Sequence, residues 1–117
     1  VWHGRAAHGL SAPALRCAKL GAFGRSEPGA GSDAASLRAT AERKGDGYVI
    51  NGSKTFITNG NIADYVIVAA YPGRTRRGAG ISPFIVDRDT PGFTVQRKLS
   101  KTGHHTSETA ALDFEER

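Results

Sequence analysis

Between Tyr48 and Phe114 no window of ten residues carries a helical period, and that narrows the fold more than any other feature of the chain. Short apolar runs appear instead, each closed by turn-forming residues. Residues 48–54 return from the tight-turn sequence Gly45-Asp46-Gly47. Residues 64–70 form a continuous apolar run, short enough to be a central strand buried on both faces. In residues 81–87, Pro83 has no N–H for a ladder, which places it at a strand start or an edge. Asp89-Thr90-Pro91-Gly92 reads as a turn, residues 93–97 alternate, and a last strand runs over residues 109–114. Several short strands with turn signals between them predict a mainly β fold, an antiparallel barrel or sandwich.

Upstream of these strands the pattern is less uniform. Residues 20–25 are a short apolar run stopped by Glu27-Pro28-Gly29, a strand followed by a turn. Gly29-Ala30-Gly31-Ser32-Asp33-Ala34 then fits the dinucleotide fingerprint G-x-G-x-x-G/A, with Ser32 placed to cap a helix reaching Lys44. Against that helix, Leu37, Ala39 and Ala41 alternate with Arg38, Thr40 and Glu42 at strand period. The fingerprint also needs repeated strand–helix units downstream, and none follow. Residues 1–19 mix Ala, Arg, His and Pro without any sustained period.

Two runs carry chemistry. In Phe23-Gly24-Arg25-Ser26-Glu27-Pro28-Gly29-Ala30-Gly31-Ser32-Asp33, Gly29 and Gly31 let the backbone approach a ligand closely, and inward-turned N–H groups of such a bend make a seat for phosphate. In Lys54-Thr55-Phe56-Ile57-Thr58-Asn59-Gly60, a flat apolar ring stands near a hydroxyl, a pairing suited to an aromatic cofactor with polar edges. Without further context Ser26 and Ser32 are ordinary turn formers, Phe56 a core residue and Thr58-Asn59-Gly60 a plain turn.

Both runs, in this order, resemble the flavin signatures of the acyl-CoA dehydrogenase family. The resemblance continues through Gly80-Ile81-Ser82-Pro83-Phe84-Ile85-Val86-Asp87 and Thr90-Pro91-Gly92-Phe93, and ends in Thr106-Ser107-Glu108-Thr109-Ala110-Ala111-Leu112-Asp113-Phe114. It implies the family's middle β-barrel domain over residues 20–117, without the two flanking helical domains. Residues 1–19 are then expected to be a poorly matching remnant of a helical domain, truncated or frame-shifted.

The resemblance also implies a function. Members remove an α-proton and a β-hydride from an acyl-CoA thioester, and the hydride passes to FAD, whose ring the protein positions and tunes. Phe23, Arg25, Ser26, Gly31, Ser32, Phe56, Ile57 and Thr58 correspond to the FAD-binding positions, and Ser32 also to a contact with acyl-CoA. Ser26 stands where the family usually has Thr, and Phe56 where it usually has Trp. Arg25 replaces an apolar residue, so its charge must find water or a partner. No catalytic residue is expected within residues 1–117, since the family's glutamate base lies in a C-terminal helical domain. Glu27 before Pro28 is structural by this comparison, while Glu108, Glu115 and Glu116 match strand ends. Implied partners are electron-transfer flavoprotein or a similar acceptor, and further copies in a homo-tetramer or dimer. A flavin monooxygenase or a nitroalkane-oxidase-like relative of the same fold is the alternative.

Composition leaves little room for other classes. Hydrophobic residues at 38% and charged residues at 23% describe an ordinary globular chain. No apolar run has the ~20 residues of a membrane helix. The single Cys17 makes no internal disulfide, which fits a cytoplasmic setting, or a mitochondrial matrix in a eukaryote. A net charge of +5 would suit an anionic ligand, and a basic nucleic-acid-binding barrel is the non-enzymatic alternative. The densest basic cluster, Arg74, Arg76 and Arg77, has no interleaved aromatics to stack bases, which argues against it. His104 and His105 are adjacent, so on a strand they would face opposite ways and hold no metal. Cys17 has no identifiable base beside it to make it a nucleophile.

Overall fold

The computed structural model describes residues 6–73 and 80–115, so the Arg74, Arg76, Arg77 cluster and Glu116 lie outside the described residues. One helix, α1 (Ala6–Leu15), precedes seven strands: β1 (Gly21–Gly24), β2 (Thr40–Lys44), β3 (Gly47–Thr58), β4 (Tyr65–Pro72), β5 (Ser82–Asp87), β6 (Phe93–Lys98) and β7 (Thr109–Phe114). A 3₁₀ turn at Ala34–Ser36 joins β1 to β2. The helix arises in a stretch that shows no helical period. Ala6, Ala7, Ala12 and Ala14 favour it by intrinsic propensity alone, even with Pro13 inside it. No described helix is long and apolar enough to cross a membrane.

The sheet is curled. β4 lies between β1 and β5, while β3 pairs first with β2 and then with β7, whose far side takes β6. The end of β4 closes the curl by pairing Tyr71 and Pro72 with Thr40 and Ala41 of β2. Most pairings are antiparallel, as expected, but β4 runs parallel to both β1 and β2. A parallel pair needs a long connection: β2 and β3 lie between β1 and β4, and β3 alone lies between β2 and β4. The β2–β3 hairpin turns on Gly45, at φ +59, the left-handed position that glycine takes without steric cost.

Alternation along the strands puts one apolar face inside the curl. Val66 and Val68 of β4, Ala22 of β1 and Val86 of β5 pack against Ile57 of β3 and Ala110, Leu112 and Phe114 of β7. From Val68 to Tyr71, β4 is buried on both faces, where its end turns from one half of the curl to the other. Its first half is buried only on alternate residues, so the two-sided burial expected for the whole run holds for the second half. Tyr48 of β3 meets Phe84 of β5 with ring centroids 5.0 Å apart, tying the halves together. Pro83 does sit near the start of a strand, β5, whose only partner among the described residues is β4.

The segment carrying Gly29 and Gly31 is anchored from below. Leu37, fully buried, packs with Ala30, Ala69 and Tyr71, and the Tyr71 hydroxyl donates to the Ala35 carbonyl at 2.9 Å. The helix expected to reach Lys44 therefore does not form; the strand reading holds from Thr40 on, while residues 37–39 lead into β2 outside any regular element. Only one 3₁₀ turn forms, and Asp33, not Ser32, caps it by accepting from the Ala35 N–H.

Candidate functional site

The two candidate runs meet. The Thr55 N–H donates to the Ser26 carbonyl at 2.9 Å, joining the segment after β1 to the middle of β3. Behind that seam lies a buried ion pair. Lys54 Nζ donates to Glu27 Oε1 at 2.8 Å, to the Arg25 carbonyl at 3.1 Å and to the Ala69 carbonyl at 2.7 Å. Ala69 lies one residue past the last β1–β4 pair, so a lysine from β3 takes up a carbonyl that this ladder leaves behind. The Glu27 carboxylate accepts in turn from the N–H groups of Arg38 and Ala39, at 2.6 and 3.0 Å. The two side chains are 0% and 5% exposed, so this knot is dry.

Burial by itself would raise the Glu27 carboxyl. Hydrogen bonds from Lys54, Ala39 and Arg38, together with the Lys54 charge, outweigh it and hold the group below its ordinary 4.5. Burial lowers the Lys54 ammonium from 10.5, against the opposing pull of Glu27. The two shifts point apart, because the lowered carboxylate signals a favourable pair and the lowered ammonium a costly desolvation. Three acceptors around Nζ decide for a charged pair. A carboxylate whose pKa is depressed on folding contributes stability above its unfolded value, and that stability is lost as pH falls through the folded value. The expected result is an acid destabilisation setting in below pH 4.5 that Glu27→Gln flattens, read from urea midpoints across a pH series.

On the outer side of the seam the register of β3 against β7 shifts between Lys54 and Ile57, a β-bulge. Phe56 sits on it at φ +55, a left-handed conformation that is a genuine outlier for a bulky residue. The residue is 71% exposed. Phe23, on the outward face of β1, is 57% exposed. A strained backbone that holds an apolar residue out of the core makes Phe56 a candidate for ligand contact.

Of the remaining expected site residues, Ser26 is half-buried at the seam, while Gly31, Ser32 and Thr58 are exposed. Ile57 is 2% exposed and belongs to the core, so its backbone alone can face a ligand. Arg25 is half-buried, and its Nη2 donates to the carbonyls of Gly31 and Ser32 at 3.3 and 3.0 Å. The charge has found its partner. His104 and His105 lie in the connection between β6 and β7, not on a strand, with His104 at φ +54. Cys17 is exposed. Sequence reasoning gave Lys54 no role, although a lysine two residues before Phe56 in an alternating strand was the available signal.

A family model described as "Acyl-CoA dehydrogenase, middle domain" matches residues 22–116. An acyl-CoA dehydrogenase of Bacillus subtilis (strain 168) is 51% identical over 96 residues, 82% of this chain and 25% of that protein. A glutaryl-coenzyme A dehydrogenase solved with glutaryl-CoA superposes with a TM-score of 0.85 at 38% identity, over 97% of this chain and 29% of the other. A Mycobacterium smegmatis glutaryl-CoA dehydrogenase, solved in complex with FADH2, superposes at 0.82 with 34% identity, over 97% and 28% of the two chains. The chain thus spans about a quarter of the length of the curated relatives it matches.

Proposed function

The chain belongs to the acyl-CoA dehydrogenase family, whose middle domain it matches, and from that premise we propose that it forms one wall of an FAD and acyl-CoA site in a longer dehydrogenase. The observation that carries this reading is Phe56: exposed, strained, and set on a bulge directly beside the Ser26 seam.

The residues present suit the group. Phe56 and Phe23 offer apolar ring surface to a planar heterocycle, and the Ser26 and Thr58 hydroxyls offer polar contacts at its edge. Donors fixed beforehand can stabilise negative charge that develops on such a ring, because they need no reorganisation at the moment of reaction. The Gly31–Ser32 bend brings backbone N–H groups suited to phosphate, and Ser32 would also contact the acyl-CoA. Bound FAD would supply the acceptor for the β-hydride of the thioester. The buried Lys54–Glu27 pair holds the two walls together and stays out of the chemistry, since all its donors and acceptors face inward. The α-proton goes to a carboxylate elsewhere in the longer protein. An electron-transfer flavoprotein or similar acceptor, assembly as a homo-tetramer or dimer, and a cytoplasmic or mitochondrial-matrix setting complete the proposal.

The test is the full-length protein, reconstituted with FAD and titrated anaerobically with acyl-CoA in the presence of a dye acceptor. Acyl-CoA should bleach the flavin absorbance and reduce the dye. Turnover of nitroalkanes, or oxygen insertion, with no response to acyl-CoA would transfer the assignment to the alternative flavoenzymes of this fold. A colourless protein with steeply salt-dependent affinity for DNA or RNA would overturn the flavin reading altogether.

A further inference from the structure

The corner that follows β3 is clamped on both sides of Thr58. Before it, Ile57 is buried in the core; after it, Asn59 stands at φ +61. The ladder between β3 and β7 ends at Thr58 opposite Thr109. One further bond continues it, from the Asn59 N–H to the Glu108 carbonyl at 2.9 Å. The Glu108 side chain then reaches round the same corner. Its Oε1 accepts from Lys98 Nζ of β6 at 2.7 Å, and its Oε2 from Asn61 Nδ2 at 2.8 Å. The Lys98 ammonium first, and the Asn61 amide after it, hold the Glu108 carboxyl below its ordinary 4.5. As a carboxylate it accepts at both oxygens, which dictates that Asn61 turns its NH₂ toward it. Asn61 Oδ1 is buried without a hydrogen-bond partner, so among the described residues Glu108 alone fixes this amide. From the opposite side Arg88 Nη1 donates to the carbonyls of Asn61 and Ala63, at 2.9 and 3.1 Å. An Asn-Gly turn needs no such clamp for its own sake. A β-branched side chain is stiff at χ1, so fixing the backbone around Thr58 fixes where its hydroxyl stands.

We propose that Glu108 is a positioning residue: by holding Asn59 through its carbonyl and Asn61 through its carboxylate, it sets the Thr58 hydroxyl at the edge of the cofactor ring. This role rests on the flavin reading above and adds a residue from the far strand, β7, to the wall. Lys98 orients the carboxylate and takes no part in the chemistry. Since Glu108 acts through Thr58, losing either residue should disturb the flavin alike, and losing both should cost little more than losing one.

The experiment uses the full-length FAD-loaded protein and its Glu108→Ala, Glu108→Gln, Thr58→Val and doubly substituted variants. Flavin absorbance spectra and dye-linked kinetics with acyl-CoA are the readouts. Thr58→Val should shift the flavin absorbance band, and Glu108→Ala should shift it in the same direction. Glu108→Ala should also lower kcat at least fivefold and leave KM within twofold. Glu108→Gln, whose amide oxygen can still accept from Asn61, should recover part of that loss. It carries the comparison if the alanine variant does not fold. In the Thr58→Val background either change at Glu108 should cost less than a further twofold. A merely structural role would leave the band in place and multiply the two losses, and that result overturns the proposal. So does a Glu108→Ala protein with the spectrum and kcat of the wild type. A Thr58→Val protein that matches the wild type overturns it as well, while the flavin reading stands. A wild-type protein that takes up no FAD defeats the flavin reading first, and this role with it.

Discussion

Lys54→Ala is expected to lower the stability of this chain by about 3–5 kcal/mol, the cost of removing one partner from a buried ion pair. Three acceptors would lose their donor at once: the Glu27 carboxylate and the carbonyls of Arg25 and Ala69. Glu27 would keep the N–H groups of Arg38 and Ala39, so its charge would be bonded but no longer balanced. A single-domain chain is stable by only about 5–15 kcal/mol, so this one change should shift the urea midpoint far and leave the chain close to unfolding. Because the same lysine ties the segment after β1 to β3, the site should loosen before the whole curl does. A double-mutant cycle with Glu27→Gln separates the pair from mere packing, and about 0.5–3 kcal/mol of coupling is expected for residues in contact. A loss under about 1 kcal/mol, the range of exposed pairs, would mean that water reaches the pair and that the dry knot is not there.

Phe56→Gly should act in opposite directions on stability and on cofactor binding, and the opposition is the informative part. A bulky residue held at φ +55 carries backbone strain of about 1–3 kcal/mol, which glycine relieves. The ligand-free chain should therefore become slightly more stable, or at least no less so, even though an aromatic ring is lost. The residue is 71% exposed and has little packing to forfeit. In the full-length protein, burying that ring against a flavin is worth about 1.5–3 kcal/mol, so FAD affinity should fall roughly 10–100-fold. Thermal denaturation of the ligand-free chain and FAD titration of the full-length apoprotein give the two readings. Were Phe56→Gly to destabilise the chain and spare FAD binding, the ring would be a packing element and the proposed wall would lie elsewhere.

Much of the fold was legible in the residues because its signals are local. The turn at Gly45, the edge placement of Pro83 and the alternation of Leu37, Ala39 and Ala41 each depend on a few neighbouring side chains. The helix Ala6–Leu15 escaped for a local reason too: it forms on alanine propensity without an apolar stripe, and periodicity cannot detect that. The parallel pairings of β4 were not legible either, since residues more than thirty positions apart choose each other only once the core assembles. His104 and His105 likewise turned out to lie in a connection, because the strand that could have carried them begins only at Thr109.

The site divides the same way. The candidate runs themselves were readable along the chain: the glycine-rich bend with its serines, and the phenylalanine followed two residues later by a threonine hydroxyl. That the two runs share a seam, that Lys54 and Glu27 lock it from inside, and that Arg25 donates to the Gly31 and Ser32 carbonyls depended on tertiary contacts. The division has one physical origin. Turn chemistry and side-chain period are set by nearest neighbours, whereas hydrogen-bond partners and burial are set by whatever the closed curl brings within reach.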